Sequence, residues 1–502
     1  MEIKVLSADI VTLPVKAIIV NLFEGVTQPS GATGAVDQAL GGAISRLITE
    51  GEIKGKLSEV TLLHTLGKIP PQRVAVVGLG KAQELTLDRV RGATAEVCRA
   101  LRRVGATQVA TIVHGVGQGG ISPEQAAQAV VEGALLGLYT FRRHLTKEAE
   151  HKDIEELTLV ERDSDKLSAL ERGLARGRVL AEAAIFARDM VNEPANYMTP
   201  TIMAESAQEM ARAEGLECTV LDREDMQRLG MGALLAVAQG SHQPPRFIIL
   251  RYRGEGAEGK PLGFIGKGIT FDSGGISLKP SEGMAEMKSD MAGGAAVVGA
   301  MRAIARLKPK VIVTGLVPCT ENLPGGAAQK PGDVLKALNG KTVEVVNTDA
   351  EGRLILSDAL SYAVREGIGP LVDLATLTGA CMVALGKIRS GAFTNNQEFL
   401  ARVIKAAEEA GEKLWQLPMD EEYKEDNKSQ VADIKNAGSR WGGAITAAQF
   451  LAEFVGDTPW VHLDIAGTAM TDKARGYLVN GATGVGARSL VHLALSYEKG
   501  RP

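Results

Sequence analysis

Aromatic residues are scarce in this chain, at 4% of 502 residues, and only four cysteines are present. Cys98, Cys218, Cys319 and Cys381 lie far apart and form no CxxC pair, which excludes a zinc knuckle and gives no disulfide framework. Buried, reduced thiols of a cytosolic protein are the expectation. No stretch reaches the ~18 consecutive apolar residues of a membrane span. The first residues, MEIKVLSADIV, lack the apolar core of a signal peptide, so a cytoplasmic location is expected, with no membrane partner. There is no basic excess either. A net charge of -4 argues against nucleic acid as the main partner. The seven histidines, at 64, 114, 144, 151, 242, 462 and 492, form no HExxH or HxxEH pair, which disfavours a histidine-based zinc protease. His462 sits in an alternating apolar run and reads as a core residue.

Glycine, by contrast, is abundant at 58 residues, so much of the backbone must turn tightly or approach a neighbour closely. Hydrophobic residues at 45% and charged residues at 23% are an ordinary globular balance. The length is better spent on two domains than one.

The first part alternates short β-branched runs, at 17–21, 60–64, 73–78 and 108–113, with helical patterns at 34–49, 86–104 and 123–145. That alternation predicts an α/β layer domain over 1–165. A further strand at 154–160 precedes a charged connecting helix over 166–192, which ends at Asn192-Glu193-Pro194. From 193 to 502 the pattern is α/β again. Thr199-Pro200 reads as an N-cap with Pro at the first helical position. Strands are expected at 246–252, 262–266, 311–317, 342–346, 371–375 and 461–465, and helices at 293–307, 352–366, 399–410 and 444–455. The fold class is therefore α/β, in two domains. The larger C-terminal domain should hold a central mostly parallel or mixed sheet flanked by helices. In such sheets sites form where strands end.

Two segments carry the chemistry. In IGKGITFDSGGISLKPSEGMAEMKSDM, Lys267, Asp272, Lys279 and Asp290 crowd one glycine-rich strand–loop–helix stretch. Buried lysines and aspartates are costly unless paired or metal-bound. In VVNTDAEGRL, Asp349 and Glu351 are two apart, so extended backbone would point both carboxylates to one side, with Arg353 at the same spacing. Converging carboxylates suit divalent cations, and two segments of them suit a bridged pair. The bland reading stands beside this one: Asp349 and Glu351 also suit the first turn of the following helix, and single lysines are usually solvated.

Residues 347–354 read NTDAEGRL, and this octapeptide resembles the signature of the leucyl aminopeptidase (cytosol aminopeptidase) family. GKGITFDSGGISLKP resembles that family's metal-binding segment. VNEPANYMTP, KSDMAGGAAV, DLATLTGA and GATGVGARSL resemble it too, so the likeness covers at least 190–490. The resemblance implies a catalytic domain over 193–502 with two divalent ions per subunit, zinc or manganese, with magnesium exchangeable at one site. It implies Lys267, Asp272, Asp290, Asp349 and Glu351 as ligands, with Asp272 and Glu351 bridging. Lys279 and Arg353 match the two catalytic residues that are not ligands, Arg353 holding a bicarbonate ion. Met287, Asn347, Thr376, Leu377 and Gly379 should lie near the substrate, with Met470 as a wall. The implied activity is removal of N-terminal residues such as Leu or Met from peptides, in a homohexamer.

Three other readings compete with this one. Val77-Gly78-Leu79-Gly80-Lys81 follows a strand but lacks the third glycine of a dinucleotide loop. Arg102-Arg103 and Arg142-Arg143 are short basic pairs, and the negative net charge disfavours DNA binding through them. A phosphatase built on the same carboxylates is excluded only by the family motif, not by the spacing.

Overall fold

The β-branched runs of the first part pair side by side. In the computed structural model, which describes residues 1–117 and 120–498, they form β1 (Glu2–Ser7), β2 (Ala17–Leu22), β3 (Val60–His64), β4 (Arg73–Gly78), β5 (Gln108–Ile112) and β6 (Glu156–Glu161). The sheet order is β1-β6-β5-β2-β4-β3, parallel throughout except for the edge pair β3–β4. Alternate residues of one strand face opposite layers. Ile19 packs with Val97 of α3 (Leu87–Arg103) and Val130 of α4 (Pro123–Gly137). Ile18 packs on the other side with Val36 of α1 (Gly31–Ala39) and Ile44 of α2 (Ala43–Thr49).

Three expectations shift here. The single helix over 34–49 is two helices, because Gly41 and Gly42 take φ of 69° and 78° between them. The helix begun at Pro123 stops at Gly137 instead of running to 145. Strand β1 was not anticipated.

The helix α5 (Leu167–Asn192) is continuous, and the division between two compact units falls within it. The first unit comprises 1–182 with 472–480, and the second 183–471 with 481–502. No helix among the described residues is long and apolar enough to cross a membrane.

The second unit opens with α6 (Pro200–Glu214), whose first turn is capped by Thr199 Oγ1 accepting the Ile202 N–H at 3.3 Å. Then follow β7 (Glu217–Leu221), α7 (Arg223–Leu229), α8 (Gly232–Val237), β8 (Arg246–Arg253), β9 (Leu262–Gly266) and β10 (Gly268–Asp272). Next come α9 (Ala292–Leu307), β11 (Ile312–Asn322), β12 (Val334–Lys336), β13 (Thr342–Glu344) and α10 (Glu351–Arg365). The chain continues through β14 (Leu371–Ala375), α11 (Gly379–Leu385), β15 (Ser390–Thr394), α12 (Gln397–Ala410) and β16 (Leu414–Gln416). It ends with β17 (Ile434–Lys435), α13 (Gly443–Ala452), β18 (Trp460–Asp464) and α14 (Ala487–Ser496).

Nine strands make the main sheet, ordered β16-β15-β18-β14-β9-β11-β8-β7, with β10 also paired to β11. Its centre, β18-β14-β9-β11, is parallel, and β8 and β15 flank it antiparallel, so the sheet is mixed. Leu356 and Leu360 of α10 pack with Ile265, Leu316 and Phe393 on one face. Gly315 leaves room for Val297 and Met301 of α9 on the other.

Candidate metal centre

The parallel strands end together, and the residues that follow them meet. Lys267 follows β9, Asp272 closes β10, Asp290 precedes α9, Thr376 follows β14, and Glu351 opens α10. Small residues make the approach feasible. A Cβ on Gly293 would fall 2.0 Å from Leu374 O, and one on Gly266 would fall 2.3 Å from Gly293 O. The AGGAA run therefore lets the start of α9 rest directly on the strand ends, beside Lys267.

Asp272, Asp290 and Glu351 are buried, and one carboxylate oxygen of each lies within 4.8 Å of the others. Lys267 Nζ stands 2.8 Å from Asp290 Oδ2, 2.8 Å from Glu351 Oε1 and 3.1 Å from the Thr376 carbonyl it donates to. Lys279 Nζ stands 2.8 Å from Asp272 Oδ2 and 2.5 Å from Asp349 Oδ1. Asp349 is half-buried and lies outside the triad of carboxylates. Thr376 Oγ1 donates to Asp290 Oδ1 at 2.6 Å. Asp272 Oδ1 accepts from the Gly274 N–H and from Asn322 Nδ2, both at 2.8 Å.

The electrostatics are those of a crowded anionic site. Burial, then Asp272, push Glu351 up to about 8 against the pull of Lys267. Burial pushes Asp290 up to about 6 against Lys267. Burial pulls Lys267 down, but Asp290, Glu351 and Asp272 outweigh it and hold the amine above its ordinary value. Lys279 is likewise raised, by Asp272 and Asp349 against desolvation. Burial lowers Arg353 to about 10, with Glu351 and Asp464 opposing. Glu351 Oε2 is buried with no hydrogen-bond partner among the described residues. Asp290 Oδ2 and Asp349 Oδ1 have Lys267 and Lys279 at ion-pair distance, 2.8 and 2.5 Å.

The extended-backbone expectation for 349–351 is corrected. Strand β13 ends at Glu344, not 346, and a turn intervenes before α10. Asp349 belongs to the turn and Glu351 to the first turn of the helix, so they face different lysines. Glu351 occupies the helix-start position that the bland reading gave it, yet it is also in the cluster. Of the residues expected near the substrate, Thr376 touches the cluster through Asp290 and Lys267; Met287, Thr376, Leu377 and Met470 are half-buried, and Asn347 and Gly379 are exposed. Arg353 is buried and donates through Nη1 to the Asn436 carbonyl at 2.6 Å.

Sequence reasoning missed Asn322, Thr348 and Asn436. Asn322, at the end of β11, also donates to Thr348 O at 3.0 Å, and Thr348 Oγ1 donates to Gly274 O at 2.6 Å. These ties join the two motif segments, and only β11's unexpected length, 312–322 against 311–317, signals the first. His462 is a core residue as expected, but its Nδ1 meets Asp373 Oδ1 at 2.6 Å. Arg102 and Arg142 donate to the carbonyls of Leu138 and Lys147. Two surface cavities, of about 440 Å³ beside Gly367–Pro370 and about 530 Å³ beside Lys336–Gly340, contain none of the cluster's groups.

Buried carboxylates and lysines at the strand ends of a mixed α/β sheet suit a class, the metal-dependent hydrolases. The comparisons are narrower. Residues 185–491 match the catalytic-domain model of the cytosol aminopeptidase family, and 19–148 match its N-terminal-domain model. A probable cytosol aminopeptidase of Geobacter sulfurreducens is 49% identical over 98% of both chains. That of Alkaliphilus metalliredigens is 46% identical over 99% of this chain and all of the relative. A mutant of tomato leucine aminopeptidase superposes with a TM-score of 0.87 at 35% identity, covering 99% of this chain and 96% of that one. The bottromycin maturation enzyme BotP in complex with Mn gives 0.85 at 34% identity, covering 96% of this chain and all of that one. The chain belongs to the cytosol aminopeptidase family and is a metal-dependent enzyme that hydrolyses peptides from the N-terminus.

Proposed function

We propose that Lys267, Asp272, Asp290, Asp349 and Glu351 hold two divalent cations, zinc or manganese with magnesium at one site, and that Lys279 and Arg353 serve the reaction. One observation carries this reading. Three buried carboxylates converge within 4.8 Å, and Glu351 Oε2 among them has no partner in the described residues. Buried anions at that spacing call for a cation. The donor set, oxygens with one amine, fits hard or borderline ions.

When bound, such cations would supply Lewis acidity for the scissile carbonyl, an acidified water, and a partner for a free α-amine that an amide nitrogen is too poor a ligand to replace. The protein's own groups do the rest. Lys267 must lose its proton to act as a ligand, which nearby dications favour by inverting the local charge. Lys279 stays cationic and faces the developing oxyanion. Arg353, with its guanidinium pinned at one nitrogen, is the residue whose free edge would hold a bicarbonate ion, and such an ion would supply proton-shuttle chemistry there. Met287, Thr376 and Leu377, with Asn347, Gly379 and Met470, line an apolar, polarizable slot for Leu or Met side chains. The assembly is a homohexamer, which light scattering on the purified protein tests.

The site reading is tested on a substrate panel. Leucine and methionine amides should be cleaved. N-acetyl-leucine amide and phosphate monoesters should not. Cleavage of the acetylated amide or of the esters at a comparable rate would overturn it.

A further inference from the structure

The turn between β13 and α10 has a problem of its own. Residues 345–350 belong to no ladder and no helix, so no regular structure satisfies their backbone N–H and C=O groups, and Val345 and Thr348 among them are buried. Such groups need partners. Asn436, fully buried just after β17, supplies them. Its Oδ1 accepts the N–H of Val346 at 2.9 Å and of Asn347 at 3.3 Å. Its Nδ2 donates to Asn347 O at 2.7 Å and Ala350 O at 3.4 Å. Its main-chain N–H donates to Glu344 O at 2.9 Å, and its carbonyl accepts Arg353 Nη1 at 2.6 Å. Every polar group of this one residue is committed to 344–353.

Side-chain chemistry explains why it is asparagine. A planar carboxamide offers two acceptor sites and two donors, so it substitutes for a neighbouring strand. Aspartate has no donors to give Asn347 O and Ala350 O. A flipped amide would set N–H against N–H and carbonyl against carbonyl, so the network fixes the orientation.

We infer that Asn436 is a positioning residue for catalysis: one buried side chain clamps the turn that delivers Asp349 and Glu351, and its carbonyl sets the guanidinium of Arg353. This rests on the reading above, in which those acids hold cations and Arg353 serves the reaction. The clamp acts at two points of the site at once, from a segment more than 80 residues away in sequence. Asp433 gives the comparison. Its Oδ2 accepts from the N–H and hydroxyl of Thr342, at 2.8 and 2.9 Å, tying the same segment to β13 and not to the turn.

The experiment compares Asn436→Asp and Asp433→Ala in the full-length, metal-loaded enzyme. Measured are bound manganese at equilibrium, thermal stability, and kcat and KM for leucine amide. Asn436→Asp should lower manganese affinity about 10–100-fold, in the range for lost outer supports of metal ligands. Its kcat should fall at least about tenfold with KM little changed, as for an interaction that matters in the transition state. Asp433→Ala should lose stability alone. Equal kcat and metal content in folded Asn436→Asp and wild type would overturn the inference. Where Asn436→Asp does not fold, Asn436→Ser, which removes volume without adding charge, takes its place. Failure of both to fold while Asp433→Ala folds would assign Asn436 a structural role instead. Wild-type protein that binds no manganese, or needs none, would overturn the metal reading and not the clamp.

Discussion

A Cβ on Gly352 would stand 2.6 Å from Cε and 2.7 Å from Nζ of Lys267. The lysine amine reaches Asp290 and Glu351 only because α10 presents a bare backbone there. Gly352 lies in the helix, with no positive φ to demand glycine, so the requirement comes from the site and not from the fold. Gly352→Ala gains about 1 kcal/mol of helix propensity, but moving a buried, ion-paired lysine opposes that gain, so stability should rise by less than the propensity figure or fall. The substitution should also displace Lys267 and cost at least about tenfold in kcat/KM, consistent with a disturbed metal support. Thermal unfolding and leucine amide kinetics on the same sample check this. Wild-type kinetics in the variant would show that the lysine has room to spare.

Metal removal is the broadest check. Dialysis against a chelator should abolish hydrolysis of leucine amide, and added zinc or manganese should restore it. Elemental analysis should return two metals per chain when activity is full. Undiminished activity in metal-free protein would end the two-cation reading.

The ligand candidates were legible because the motif segments are local. Lys267, Asp272, Asp290 and Glu351 each lie within a few residues of a strand end or helix start, and glycine runs mark the close approaches. The backbone state of 349–351 was not legible. Two-residue spacing reads the same in a strand and in a turn running into a helix, and tertiary ties, those of Asn436, Asn322 and Thr348 among them, decide which forms. Asn322 and Asn436 were invisible for a related reason. Each sits in its own unremarkable stretch, and its partners are 26 to 92 residues away. The three- and two-residue strands β16 and β17 are too short to show a period. The return of 472–480 to the first unit likewise leaves no local pattern.

Asp272 and Lys279 touch, yet removing each should do different things. Asp272 is tied down by Gly274 and Asn322 and faces the cluster, so Asp272→Ala should lose metal as well as rate. Fewer than two metals per chain is the expected analysis. Lys279→Ala should keep both metals and lower kcat by ~10²–10³, as for loss of one oxyanion donor. Metal lost in Lys279→Ala, or retained at normal rate in Asp272→Ala, would reverse the assignments.

The first unit carries its own pH dependence. His114 is buried, with Nε2 3.1 Å from Thr111 Oγ1 and Nδ1 3.2 Å from Asn21 Oδ1. Burial lowers it to about 4 from an ordinary 6.5. Between those values the unfolded chain binds a proton that the folded chain refuses. Stability from His114 is thus complete above about pH 6.5 and is lost as pH falls toward about 4, on the order of 3 kcal/mol in all. His114→Asn lacks this dependence. Its destabilisation relative to wild type should shrink as pH is lowered from 7.5 to about 4.5. A constant gap in urea midpoints across that range would mean that His114 titrates normally.

Arg353 raises the question of the proton. Something must take a proton from the attacking water and hand it to the leaving amine. The acids of the cluster are opposed by lysines and are assigned to cations. His462 feels the charge of Arg353, but it is fully buried and bound to Asp373, so it is not presented to a substrate. Arg353 itself is no base, because burial lowers it only to about 10 and it stays cationic near neutrality. What it offers is geometry. Nη1 is fixed on Asn436 O, while Nε is buried without a partner among the described residues. A planar guanidinium held this way grips a planar oxyanion through parallel hydrogen bonds. The start of α10 adds a favourable field for an anion. Wild-type kcat should therefore rise when bicarbonate is returned to carbonate-depleted buffer. Arg353→Ala should be slower and should not respond. Arg353→Lys keeps the charge but not the fork, so it should recover little of the response. If depleted wild-type enzyme is fully active and indifferent to bicarbonate, Arg353 supports the site by its charge alone, and Arg353→Lys should then restore most of the rate.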